Sequence, residues 1–208
     1  MQEHLIRYRW GLRIMSTFNT SEMSIKDGSC KDLADLNYQI WSFIHHCATN
    51  GCVQNLRDFK FHSREISWLS ELSFQSIINL SDPTICHFRI VFNKAEIKSA
   101  LACMTSKSIT SLSAQQDLAY RYFMQLKLCC HKYGNEYARA RYGLNSSDLE
   151  FMLKLTDAQI RHLVTTTSCG KLTLRFDPQI INGIGKANLL IEALSRIQLQ
   201  CLNSAAEI

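Results

Sequence analysis

Histidines and cysteines are the residues of this chain that could bind a metal ion. Imidazole and thiolate groups both ligate zinc, but zinc sites usually contain cysteine pairs about two to four residues apart. The clustered residues do not follow that spacing, and Cys47 and Cys129 instead fall on the apolar stripes of two corresponding predicted helices. We therefore expect buried thiols, with no metal site and no cofactor. The clustered residues are His45, His46, Cys47, Cys52, Cys129, Cys130 and His131.

Catalytic motifs are missing from the rest of the sequence. There is no glycine-rich phosphate loop, no G-x-S-x-G element and no pair of catalytic carboxylates. The short Gly183-Ile184-Gly185 element does not make a nucleotide-binding fingerprint. We expect a protein that is not an enzyme and has no small-molecule substrate.

Basic residues form a patch in the second half of the chain. Arg139 and Arg141 lie close to Lys132, and the formal net charge of +5 permits contact with an acidic surface without requiring it. Lysine and arginine side chains in such a patch neutralise phosphates without reading sequence. A solvated helix face is the alternative. A looser counterpart earlier in the chain consists of Arg57, Lys60 and Arg64.

Residues 147–163 predict two short helices joined by a tight corner. Ser147 and Thr156 both begin a capping-box pattern, and their spacing of nine residues leaves room for a helix of about two turns before the next helix begins. Such a pair could be a helix-turn-helix whose second helix enters the major groove of DNA. Ordinary packing of two helices is the alternative. In the first half, Ser63 and Ser73 occupy the equivalent cap positions. The polar candidates for DNA contact on the second helix are Gln159, Arg161 and His162.

Apolar residues at spacings of three and four predict one long amphipathic helix in each half of the chain. The helices end near Gly51 and Gly134, and each has a wide apolar face that needs a partner. The first stripe consists of Leu33, Leu36, Ile40, Phe43, Ile44 and Cys47. The second consists of Ala119, Tyr122, Phe123, Leu126, Cys129, Cys130 and Tyr133.

Two short segments, residues 85–92 and 172–176, alternate as β-strands do. A lone strand of this length cannot satisfy its own edges, so the two pair with each other or with another chain. Aligning Leu72 with Leu155 gives an offset of 83 residues, and aligning Asp35 with Asp117 gives 82. These nearly equal offsets predict an internal duplication.

The duplication divides the 208 residues into two repeats with flanking segments. We predict a mobile extension at 1–29, a first repeat at 30–104, a Ser/Thr-rich linker at 105–116 and a second repeat at 117–208. No run of eighteen apolar residues and no export signal is present, so we expect a cytoplasmic protein with reduced thiols and no membrane contact. Leu190, Leu194, Ile197 and Cys201 mark a terminal helix in the second repeat.

Several of these motifs resemble those of the FlhD family, the smaller subunit of the bacterial flagellar master transcription activator. Arg141-Tyr142-Gly143-Leu144-Asn145 is similar to the family's R-L-G-I-N element, and Leu174-Arg175-Phe176-Asp177 is similar to its closing motif. In the first half, Cys86-His87-Phe88-Arg89 reproduces the family's strand motif, and Asp35-Leu36-Asn37 resembles the start of its long helix.

The sequence departs from the family pattern at two places. Asp58 and Lys60 stand where the family has Arg and Gly, so we expect the first repeat's corner to be built differently from the second's. Leu172 replaces the cysteine that begins the strand motif, and Cys169 lies three residues upstream of it.

The resemblance implies a mainly α fold in which two FlhD-like helical repeats form an intertwined intramolecular pseudo-dimer with a short two-stranded antiparallel β-ribbon. Arg141 is the leading basic candidate because it alone lies on a family motif. Cys86 matches a position that can cross-link family dimers, so a disulfide with Cys169 is one outcome. The residues expected in the paired strands are Cys86, His87, Phe88, Arg89, Leu172, Leu174, Arg175 and Phe176.

By function, the resemblance implies a bacterial transcriptional regulator subunit. Such a subunit assembles with a zinc-containing FlhC-like partner, and the complex binds promoter DNA and activates transcription. The alternative is a protein-interaction module that sequesters or antagonises a regulator without binding DNA.

Overall fold

The computed structural model describes residues 31–81, 84–104, 111–185 and 194–199. In these ranges the chain is mainly helical with one small two-stranded antiparallel sheet, which confirms the mainly α class and the short antiparallel ribbon. The predicted extension and residues 105–110 of the predicted linker lie outside the described residues. None of the described helices combines the length and apolar character needed to cross a membrane.

The elements follow the same order in both halves: a long helix, three shorter helices, a strand and a helix. The first half contains α1 (Lys31–Thr49), α2 (Val53–Asp58), α3 (Ser63–Ser70), α4 (Phe74–Leu80), β1 (Phe88–Ile90) and α5 (Lys94–Ala102). The second contains α6 (Ala114–Tyr133), α7 (Asn135–Tyr142), α8 (Ser146–Lys154), α9 (Asp157–Thr166), β2 (Leu172–Leu174) and α10 (Pro178–Gly185). A 3-10 turn at Ser168–Gly170 precedes β2, and residues 194–199 are helical.

Capping residues set where two helices of the second half begin. The Ser113 hydroxyl accepts the Gln116 amide at 3.3 Å, so α6 begins inside the predicted linker and before residue 117. The prediction that Ser147 caps α8 is wrong, because the side chain of Asn145 accepts the Asp148 amide at 2.8 Å and the helix begins at Ser146. Asparagine is as good an N-cap as serine.

Three further caps were predicted from the sequence. The box at α9 is confirmed, since Thr156 and Gln159 exchange hydrogen bonds of 2.8 and 3.3 Å. Ser73 caps α4 as predicted. Ser63 is not a cap, because His62 takes that position and Ser63 is the first helical residue of α3.

One hydrophobic core runs through both halves, and α1 packs against α6 within it. Both predicted apolar stripes face this core, with Phe43 half-buried against it, and only Tyr133 is exposed. Full burial of a large apolar side chain contributes about 1.5–3 kcal/mol to stability, so this shared core couples the halves energetically. Its largest fully buried side chains include Trp41, Tyr122, Tyr142, Phe59, Phe61 and Phe88.

The two strands pair with each other in antiparallel register. Phe88 lies opposite Leu174, and Ile90 lies opposite Leu172. Each strand is three residues long, shorter than the predicted segments. Outside the ladder, the Cys86 amide donates to the carbonyl oxygen of Arg141 at 2.7 Å.

The helix that follows the strand in each half packs on the other half. Helix α5 packs against α9, and α10 packs against α4. The strands are also anchored across the halves, because the Leu174 amide donates to the Phe59 carbonyl at 3.2 Å. The contacts between the two halves therefore include the strand pair and one helix from each half.

The C-terminal stripe differs from its prediction. Leu194 and Ile197 are 58% and 56% exposed, while Ser195 and Leu199 are buried. The helical segment at 194–199 thus presents a different face to the core from the one that the apolar spacing indicates. Leu190 and Cys201 lie outside the described residues.

Candidate nucleic-acid interface

Helices α8 and α9 form the predicted helix–corner–helix unit, joined through Leu155 and Thr156. Ile160, Leu163 and Val164 of α9 are buried, and this helix packs against α5 and α6. Its remaining face carries the three polar candidates for DNA contact. The contacts of these three side chains show whether they are available to bind a nucleic acid.

Two of those candidates already form hydrogen bonds within the chain. The side chain of Gln159 accepts the backbone N–H of Thr156 at the start of α9. The His162 ring lies with Nε2 3.1 Å from the carbonyl oxygen of Ala100 and so connects α9 to α5. Both side chains therefore stabilise the fold and would have to leave these partners to reach DNA.

Arg161 is the most exposed of the three, with 45% of its side chain accessible. It lies 3.0 Å from Asp157, and its guanidinium carbon lies 4.4 Å above the centre of the Tyr120 ring. A hydrogen bond from the Tyr120 hydroxyl, together with Arg161, holds the pKa of Asp157 below its ordinary value. A phosphate approaching Arg161 would also meet this carboxylate, which weakens the positive potential of α9.

The predicted basic patch is also paired internally. Lys132 lies 2.9 Å from Asp32 of α1, and Arg139 lies 2.6 Å from Glu136. The Nε of Arg139 additionally donates to the Leu144 carbonyl at 3.4 Å. Exposed ion pairs of this kind contribute about 0–1 kcal/mol to stability, so an incoming phosphate could compete for Lys132.

Arg141, the leading basic candidate, lies at a contact between the two halves. Its guanidinium donates to the carbonyl oxygen of Thr84 and lies 4.8 Å from the centre of the Tyr137 ring. Its own carbonyl accepts from the Cys86 amide at 2.7 Å and from Arg175 at 3.4 Å. These bonds give Arg141 a structural role in tying α7 to the segment before β1.

The strand motif of the first half is held by two α1 side chains that the functional predictions did not include. Asn37 donates to the Ile85 carbonyl at 2.9 Å and accepts the His87 amide at 3.2 Å. Trp41 donates its indole N–H to Nδ1 of His87 at 3.1 Å. Asn37 could have been found from the sequence, because it is a polar residue beside the apolar stripe of α1.

His87 is fully buried between the halves. Since Nδ1 accepts from Trp41, the neutral ring carries its proton on Nε2, which has no hydrogen-bond partner among the described residues. Burial, and secondarily the charge of Arg175, lowers the pKa of His87 to about 3. The ring is therefore neutral at physiological pH.

Cys86 and Cys169 are both buried free thiols, so the disulfide considered for this pair is not formed in this structure. Burial raises the pKa of each thiol to about 11. Both thiols therefore stay protonated at neutral pH, and neither sulfur is activated as a nucleophile. Their environment is that of packed core thiols.

The side chain of Arg175 packs over the turn that follows α7. A Cβ built on Gly143 would lie only 1.8 Å from Nη2 of Arg175, and Gly143 has a left-handed φ of +59°. Arg175 also donates to the Cys86 carbonyl at 2.7 Å. The guanidinium fits only because residue 143 has no side chain.

The first half builds the same backbone turn with Lys60, so the expectation of a different construction is wrong for the backbone. Lys60 has φ of +70°, and the Phe61 amide donates to the Leu56 carbonyl at 3.0 Å. In the second half the Leu144 amide donates to the Arg139 carbonyl at 3.2 Å in the same pattern. The closing hydrogen bond offsets the cost of a left-handed lysine.

The histidines and cysteines considered first as metal ligands are dispersed. Cys47, Cys129 and Cys130 are buried on α1 and α6, as the apolar stripes predict. Nδ1 of His45 lies 2.9 Å from the Leu69 carbonyl oxygen. Within the described ranges, no three or more His, Cys, Asp or Glu side chains are grouped as a metal site.

Comparison of the chain with protein-family models, curated proteins and solved structures gives no match.

Proposed function

We propose that this chain is a scaffold subunit of a bacterial transcriptional regulator, built from two FlhD-like repeats that form an intramolecular pseudo-dimer. The observation that carries the proposal is the reciprocal exchange around the strand pair, in which α5 packs on α9 and α10 packs on α4. Two halves that exchange equivalent elements have the arrangement expected of a fused dimer.

Two contacts between counterpart residues support an approximate twofold axis. Phe88 pairs with Leu174, the residue that holds the same place in the second strand motif. Arg121 donates to the side chain of Gln39 at 3.3 Å, and these residues are related by the offset of 82. A residue that meets its own counterpart lies near the axis of an isologous contact.

The family-like motifs supply structural contacts, and several of these contacts join the halves. Arg141 donates to the Thr84 carbonyl, Gly143 makes room for Arg175, and Asn145 caps α8. The Cys86–Arg89 motif enters the strand ribbon. Because the motif residues make structural contacts, they support a role in assembly more than a role in base recognition.

Sequence recognition in this proposal comes from a zinc-containing FlhC-like partner. Gln159, His162 and Arg141 have intrachain partners that compete with DNA. The chain contributes phosphate contacts through exposed cations of the α8–α9 unit, namely Lys154 and Arg161. Such contacts position a complex on DNA without specifying sequence.

Co-expression with an FlhC-like protein and a promoter mobility-shift assay test the proposal. We expect the complex to shift promoter DNA and the single chain to leave it unshifted. The double variant Lys154→Gln with Arg161→Gln should weaken the complex and reduce its salt slope by about two. Lys98→Gln, an exposed lysine of α5, is the control. Tight, promoter-specific binding by the single chain would contradict the proposal.

A protein-interaction module that antagonises a regulator without binding DNA is the second candidate. It is favoured by the internal pairing of Lys132, Arg139 and Arg161 with acidic side chains. For this candidate, the partner forms a complex with the chain, but the complex does not bind the promoter. The Lys154 and Arg161 substitutions then leave its regulatory effect unchanged.

A further inference from the structure

The equivalent corners of the two halves differ at their left-handed residue. The offset of 83 aligns Lys60 with Gly143 in the sequence. Both residues are left-handed, with φ of +70° at Lys60 and +59° at Gly143. The backbone is therefore equivalent, while the first half carries a long cationic side chain where the second has none. This difference changes the surroundings of the nearby arginine in each half.

Arg175 and Arg89 are the fourth residues of the two strand motifs. The Arg175 guanidinium lies over Gly143, contacts the Phe176 ring at 4.9 Å and is half-buried. Arg89 cannot adopt the same position over Lys60, because a Cβ and a second cation are already there. Arg89 is accordingly exposed on the outer face of β1.

Arg89 and Lys60 open onto one cleft of about 410 Å³. Leu144 and Met152 of the second half form part of its apolar wall. Small-molecule sites typically have volumes of about 300–1,000 Å³ and combine apolar walls with a few polar groups. The cleft therefore has the size and composition of a site for a small amphipathic molecule.

The charge of this cleft is positive. Asp148 also lines it, but its carboxylate lies 2.7 Å from Lys94 and accepts from Asn145 at 2.9 Å. Within the described part of the chain, Lys60 and Arg89 form no ion pair. Two unpaired cations thus face the same volume, with the one carboxylate already compensated.

We propose that this cleft binds a small organic anion. Its phosphate or carboxylate group lies between Arg89 and Lys60, and its apolar part packs on Leu144 and Met152. The planar guanidinium of Arg89 suits either acid, because both accept two parallel hydrogen bonds. The ligand bridges the two halves, and the proposal is independent of the regulator function.

Calorimetric titration of the full chain with four probes tests the site: phenyl phosphate, benzoate, inorganic phosphate and benzyl alcohol. We expect both aromatic anions to bind, inorganic phosphate to bind more weakly and the neutral alcohol to give no binding. Tighter binding of phenyl phosphate than of benzoate identifies a phosphate ligand, and the reverse order identifies a carboxylate. Either order supports the site.

Two single substitutions locate the binding. Arg89→Gln and Lys60→Gly should each weaken the better aromatic anion about tenfold. Lys60→Gly restores the residue type of the second half, so it should fold. Lys98→Gln, which removes an equal charge outside the cleft, should leave affinity unchanged.

Three results would overturn the proposal. The first is that no anionic probe binds the wild-type chain. The second is that the two cleft variants bind as well as the Lys98 control. The third is that inorganic phosphate binds as tightly as phenyl phosphate, because the apolar wall would then make no contribution. Thermal unfolding of each variant shows whether lost binding reflects a lost fold.

Discussion

Trp41 donates its indole N–H to Nδ1 of His87 across 3.1 Å, inside the buried contact between α1 and the residues that lead into β1. This bond requires an unprotonated Nδ1, so the fold selects the neutral ring. It also couples a long helix to the strand that pairs with the other half. The protonation of one histidine is thereby linked to the stability of the shared core.

Stability should fall on mild acidification because of His87. Burial lowers its pKa in the folded chain to about 3, whereas the unfolded ring has its ordinary value of 6.5. Between these values the unfolded chain binds more protons, so the free energy of unfolding rises with pH by up to about 1.4 kcal/mol per unit. The contribution is fully present above pH 6.5 and is lost progressively towards pH 3.

Urea unfolding at several values between pH 7 and pH 5 measures this slope. His87→Gln should unfold more easily at pH 7 and should lose most of the dependence on pH. His46→Gln, a substitution of an exposed histidine on α1, is the control and should keep the slope. Equal slopes for wild type and His87→Gln would exclude His87 as the cause.

Gly143→Ala should destabilise the chain strongly. The new Cβ would displace the Arg175 guanidinium, which donates to the Cys86 carbonyl, and would also strain a residue with φ of +59°. We expect a loss of about 2–4 kcal/mol in the free energy of unfolding. Gly51→Ala has a similar φ of +68° with no atom near its Cβ, so it should cost only about 1 kcal/mol. Equal losses would show that Arg175 is not the obstacle.

Local signals account for what could be predicted from the sequence. Apolar spacing is sufficient to predict α1 and α6. The side chains of Thr156 and Gln159 are sufficient to predict where α9 begins. Such patterns show that a face is apolar without showing what covers it. The packing of α5 on α9 and of α10 on α4 therefore could be expected only through the family resemblance.

The candidate DNA contacts show the same limit. A sequence displays the charge of Arg141 but not its acceptor, the Thr84 carbonyl, which lies 57 residues away. At Lys60 the sequence instead predicts a difference that the backbone does not show, because a lysine at this position indicates a different turn. A left-handed residue costs only about 1–2 kcal/mol outside glycine, so the closing hydrogen bond from Phe61 to Leu56 preserves the turn.

Thiol modification should separate exposed from buried cysteines. Cys52 and Cys103 are exposed, whereas Cys86 and Cys169 are buried with pKa values raised to about 11. At pH 8 the two buried thiols should hold roughly one thiolate in a thousand, and their reaction should require opening of the core. Iodoacetamide labelling followed by peptide mass spectrometry should show Cys52 and Cys103 modified before Cys86 and Cys169.

Labelling in guanidinium chloride provides the reference, since all nine cysteines should then react at similar rates. Modification of Cys86 as fast as that of Cys52 in the native chain would contradict the buried placement of the strand motif.

Lys60→Gly should stabilise the chain. Lys60 follows α2 at the left-handed position that helix ends usually give to glycine, and its side chain is exposed. Relief of the left-handed strain exceeds the entropy that glycine adds to the unfolded chain, so we expect a gain of about 0.5–1 kcal/mol in the free energy of unfolding. The same substitution at Lys98, inside α5, should cost about 0.5–1 kcal/mol because no strain is relieved there. Opposite signs in urea unfolding would establish that the first half tolerates Lys60 at a cost to stability, and equal losses would refute that cost.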